Sequence, residues 1–152
     1  MTTIAWDGKT LAADRGTWLG AIVVQCDKIR VFHEPVRHLP AGAWADCGDS
    51  AYSEAVCQWL LGKTEERPRP TDEKAHSSIG LWITMDGIPG FLHANLVLEQ
   101  LPKQIVAEGR GAAFAYGAML AGASAAAALD LANKYTDCAA HGFDTWSPSL
   151  IL

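Results

Sequence analysis

The chain has 152 residues, 49% of them apolar and 19% charged, with a net charge of −5. That length makes one domain able to bury roughly 70% of its unfolded surface. The acidic balance and the lack of any basic run argue against nucleic acid as a partner, and no apolar run is long enough to span a membrane. Cys26, Cys47, Cys57 and Cys138 form no CxxC pair and read as reduced thiols. With no charged-then-apolar leader at the start, the expected compartment is the cytoplasm.

Residue 2 is a threonine. After removal of Met1 it would carry a free α-amine and a hydroxyl together, a nucleophile with its own base. Thr2 to Trp6 and Lys9 to Ala13 are short apolar segments separated by Asp7-Gly8, a hairpin signal because the turn needs positive φ. A two-residue loop would set Thr2 opposite Ala13, and a three-residue loop with a bulge would set it opposite Asp14. Both registers bring Asp14 within about one residue of the N-terminus.

Leu19 to Val24 and Lys28 to Phe32 are expected to form a second strand pair, joined by Gln25-Cys26-Asp27. Residues 33–43 read as loop or edge, and Trp44 to Cys47 as a short strand leading into Gly48. Asp49 or Ser50 caps a helix whose apolar face is Tyr52, Val56, Trp59 and Leu60, and Gly62 ends it. Residues 63–76 are a solvated connector. Ser78 to Met85 and Gly90 to Leu96 read as strands around Asp86-Gly87. Gly111 to Ala121 and Ser124 to Tyr135 are two alanine-rich helices, followed by a strand or tail over residues 137–152. Residues 1–152 thus read as a single α+β domain, with two antiparallel sheets packed face to face and covered by helices.

In this order the segments resemble the N-terminal nucleophile hydrolases of the proteasome β-subunit and HslV type, especially the small bacterial and phage-type members. Thr-Thr-Ile-Ala-Trp-Asp-Gly-Lys-Thr-Leu-Ala-Ala-Asp is similar to the family's opening strand pair, which implies Thr2 as nucleophile and Asp14 as its aspartate. Asp27-Lys28-Ile29-Arg30 resembles the segment with the catalytic lysine, implying Lys28. Trp44-Ala45-Asp46-Cys47-Gly48-Asp49 resembles the turn whose glycine offers an oxyanion-binding amide, implying Gly48. Gly109-Arg110-Gly111 stands where relatives carry Gly-Ser-Gly, and Asp137 stands one position out of step with the family's late aspartate. The serine expected after it is missing from the stretch Thr136 to Gly142.

The resemblance implies a four-layer αββα sandwich and a cytoplasmic threonine peptidase that uses no cofactor or metal. It further implies a homo-oligomer of rings or stacked rings, a polypeptide substrate and an ATPase unfoldase to feed it. Two other readings are an inactive relative that serves as a self-assembling structural protein, favoured by Arg110, and an amidase acting on a small substrate. His33 and His38, five apart in a Pro-flanked loop, lack metal-ligand spacing.

Overall fold

The computed structural model describes residues 2–137 and 141–149. Asp7 and Gly8 do turn the chain between β1 (Thr3–Trp6) and β2 (Leu11–Asp14), but the loop is wider than either register expected from the sequence. Trp6 pairs with Leu11 and Ile4 with Ala13, which leaves four residues in the loop. The Asp7 side chain explains the difference: its carboxylate accepts from the Lys9 and Thr10 amides, while the Asp7 N–H donates to the Thr10 carbonyl. This side-chain turn supplies the closure that a tight two-residue loop takes from backbone alone. Extending the register sets Thr3 opposite Asp14 and keeps Asp14 one residue from Thr2.

The second expected hairpin is shifted. β3 (Gly16–Leu19) pairs with β4 (Ile22–Gln25) around Gly20 at φ +63°, as a two-stranded unit outside both larger sheets. β5 (Ile29–Phe32) pairs instead with β6 (Gly42–Asp46). Gly20 provides the left-handed turn that Gln25-Cys26-Asp27 lacks.

The Asp49 carboxylate then caps α1 (Ser50–Leu60) by accepting from the Ala51 and Tyr52 amides, and Gly62 follows its end at φ +72°. β7 (Ser78–Thr84), β8 (Pro89–His93) and β9 (Leu98–Gln100) extend β5 and β6 into a five-stranded sheet. The sequence reading missed β9, and also β10 (Val106–Gly109), which pairs along the full length of β1. Ser124 caps the second of two helices, α2 (Ala112–Leu120) and α3 (Ala125–Tyr135). β11 (Phe143–Trp146) closes a four-stranded sheet in the order β10-β1-β2-β11. Every strand pairing among the described residues is antiparallel, so the fold is α+β with three helices.

Strand alternation sorts the core into three clusters. Ile4, Trp6, Leu11 and Ala13 meet Ala43, Ala45, Leu81 and Ile83 between the two sheets. Ala5 and Ala12, on the opposite face of β1 and β2, lie under Ala115, Met119, Ala125, Ala128 and Leu129 of α2 and α3. Their short side chains let the alanine-rich helices sit close to the strands. Val56, Trp59 and Leu60 of α1 pack with Phe32, Trp44 and Trp82 on the far face of the five-stranded sheet. Trp59 is thus a core residue, as its spacing predicts, whereas Trp18 is exposed.

Candidate active site

Thr2, Asp14 and Lys28 come together where the β1–β2 hairpin meets the start of β5. The Lys28 ammonium lies 3.0 Å from Thr2 Oγ1, 3.0 Å from each Asp14 carboxylate oxygen and 2.5 Å from the Gly16 carbonyl. Asp14 is fully buried and Lys28 is 4% exposed. A buried carboxylate needs donors beyond its counter-ion. Asp14 has them in the backbone: Thr3 N–H donates to Oδ1 at 2.7 Å and Gly16 N–H to Oδ2 at 3.1 Å.

Each position follows from local backbone. The β2 register aims Asp14 at the amide of the residue after Thr2. Gly16 opens β3 of the small hairpin and offers both its carbonyl and its amide. Lys28 returns from that hairpin, and its own carbonyl accepts from Asp46 N–H at 3.1 Å, tying it to the end of β6. Thr2 is fixed from the other side, because Arg110 N–H donates to the Thr2 carbonyl at 2.9 Å. Gly109 makes that approach feasible: at φ +91°, a Cβ there would lie 2.9 Å from the Thr2 carbonyl carbon and closer still to its oxygen.

Gly48 stands two residues past β6, exposed, at φ +91°, immediately before the Asp49 cap of α1. A glycine is required there by the backbone. Asp137 is exposed just beyond α3, and Cys138, Ala139 and Ala140 of the anticipated late segment lie outside the described residues. Sequence reasoning missed Gly16 and the Thr3 amide as parts of the group around Thr2, whereas the Gly109-Arg110-Gly111 turn that the resemblance singles out does pack against it. Glycine at a hairpin edge was a visible signal for Gly16; the Thr3 amide carries none.

Other titratable groups narrow the chemistry. Burial pushes the Cys47 thiol far above its usual range, aided by the adjacent Glu108, so Cys47 is no competing thiolate nucleophile. Burial likewise raises Glu108, although hydrogen bonds from Ser78 and Cys47 partly oppose the shift. Asp46 is raised by burial and held by an ion pair with Arg30. His38 bonds the Leu96 carbonyl and His93 contacts Glu99 and the His76 carbonyl. No family model and no curated protein matches the chain.

Proposed function

We propose that this chain is a threonine-type N-terminal nucleophile hydrolase that cleaves peptide bonds through Thr2 after Met1 is removed. Its layers are then read as the four-layer αββα sandwich of proteasome-type subunits, with α2 and α3 outside one sheet and α1 outside the other. The observation that carries the proposal is the 3.0 Å hydrogen bond from Lys28 Nζ to Thr2 Oγ1, made by a lysine held on Asp14. A lone structural ion pair would not require the second residue's hydroxyl as a further acceptor.

The chemistry follows from ordinary acidities. A threonine hydroxyl is too weak an acid to ionise near neutral pH, whereas an α-amine titrates near ~7.7–8.0 and supplies free base. The amine takes the hydroxyl proton, directly or through a water, as Oγ1 bonds to the scissile carbonyl carbon. Lys28 stabilises the negative charge gathering on Oγ1, and Asp14 keeps the ammonium aimed there. The Gly48 amide is the candidate donor to the carbonyl oxyanion. The protonated amine then gives its proton to the leaving nitrogen, the C–N bond breaks, and water hydrolyses the ester left on Thr2. With Met1 attached the same nitrogen is an amide and no base exists.

The proposed working form is a cytoplasmic homo-oligomer of rings or stacked rings, supplied with polypeptide by an ATPase. The competing reading, a self-assembling structural protein without activity, is favoured by Arg110 in place of the expected serine. Intact-mass measurement and an electrophilic threonine-protease inhibitor separate the two. Processed protein should gain the inhibitor's mass at Thr2, and Thr2→Ala should gain none. A processed chain that never labels belongs to the structural reading.

A further inference from the structure

Residue 110 is anchored beside the nucleophile by its backbone, yet its side chain is exposed and makes no ion pair or side-chain hydrogen bond among the described residues. Four of the other five arginines are engaged: Arg15 with Asp27 and Asp144, Arg30 with Asp46 and Glu54, Arg37 with the Trp59 and Thr64 carbonyls, and Arg67 with the Asn95 carbonyl. The Arg110 guanidinium has no side-chain or carbonyl partner among the described residues. Its N–H bond to the Thr2 carbonyl, enforced by Gly109, keeps it within side-chain reach of any amide bound at Thr2.

The chain as a whole is −5, but within this group the Lys28 ammonium is paired with the Asp14 carboxylate, and Arg110 adds a further cation beside Thr2. Glu108, two residues earlier, points away from Arg110: that side chain turns between the sheets toward Cys47 and Ser78. Arg110 also directly precedes Gly111, the N-cap of α2, which brings no side-chain acceptor to that helix's first amides and so adds no negative group. A planar guanidinium presents paired donors that match a carboxylate.

We propose that Arg110 is a specificity-determining residue that recruits an acidic side chain flanking the scissile amide. On this basis the polypeptide substrates are those with Glu or Asp next to the cleaved bond. The inference rests on the threonine-hydrolase reading, and its test keeps the two apart. Quenched fluorescent peptides identical except for Glu, Gln or Lys on one side of the scissile bond, and a second series varied on the other side, are cleaved by the assembled, processed protein.

At low ionic strength Glu should be preferred over Gln by about 10-fold in kcat/KM in one of the series, a preference that shrinks with added salt. Arg110→Ala should bring the Glu/Gln ratio toward one, Arg110→Lys should retain part of it, and Arg110→Glu should favour the Lys peptide. Because each ratio is internal to one variant, a general loss of activity does not disturb it. Ratios near one in both series of the native protein, or ratios that survive Arg110→Glu, overturn the proposal while a neutral inhibitor still labels Thr2. If that inhibitor leaves processed Thr2 unlabelled, the hydrolase reading falls and this inference with it.

Discussion

Lys28 and Asp14 illustrate how a candidate site residue can also be a fold residue. Their side chains are 5% and 0% exposed, so Lys28→Ala would strand a carboxylate that only the Thr3 and Gly16 amides still satisfy. Breaking a buried pair from one side costs about 3–5 kcal/mol. For a domain of this length that lowers Tm by roughly 6–20 °C, which calorimetry would register. Inhibitor labelling of Thr2 should fall by about 100-fold or more, the scale of a lost electrostatic donor to the reacting oxygen. Native-like labelling in this variant would remove Lys28 from the mechanism.

Glu108 gives the opposite sign. Its folded-state pKa lies above the ordinary carboxylate value because of burial. Between the two values the native chain binds more protons than the unfolded one, so stability falls as pH rises through that window. Glu108→Gln keeps an acceptor for Ser78 and Cys47 and removes the ionisation. The variant should match the native protein near pH 4 and be the more stable at pH 7 in thermal melts. A stability difference that does not change with pH would show that burial does not raise the Glu108 pKa.

Among the elements, those closed by a side-chain device were legible and those defined by distant partners were not. Asp7-Gly8, Asp49 and Ser124 announce a turn and two helix caps; both caps occur where they were expected, and the turn does so in a wider loop. β10 has only four residues and becomes a strand by lying along β1, a pairing that no local pattern encodes. The shifted β3–β4 hairpin has the same cause, since an uninterrupted apolar run conceals which glycine turns it. The grouping at the candidate site was legible to the same extent: Thr2, Asp14 and Lys28 meet through side chains, while the amides of Thr3 and Arg110 and the carbonyl of Gly16 are backbone.

Asp7 exceeds its expected role. One carboxylate oxygen holds the hairpin loop and the other accepts from Ala125 N–H at 2.8 Å, joining that loop to the first turn of α3. Asp7→Ala releases both elements and should cost about 2–3 kcal/mol, above the ~1 kcal/mol of a single cap. Denaturant melts would read it as a lower midpoint with an unchanged slope. A loss no greater than that of Ser124→Ala would mean that the link to α3 contributes nothing.

At the scale of the molecule, the surface is unfinished for a lone monomer. From Gly111 to Leu129 there is no charged residue, and α2 is apolar around its whole circumference, a composition expected of a buried helix. Its outer face nevertheless leaves Leu120 65% exposed, along with Phe114 and Tyr116, and the β3–β4 hairpin exposes Ile22 at 62%. An acidic chain repels its own copies except where charge is absent, which makes these uncharged faces the ones able to meet a second copy. The proposed homo-oligomer is therefore expected to bury α2 or the hairpin tip. Sedimentation should give a mass several times the 16.3 kDa of one chain. Leu120→Glu and Ile22→Glu, each placing a charge on one face, identify the contact: the variant that falls to a monomer marks it, and the fold should persist because both positions face outward. If the native protein sediments as a monomer at high concentration, the ring assembly is abandoned, and Thr2 must then work from an open surface.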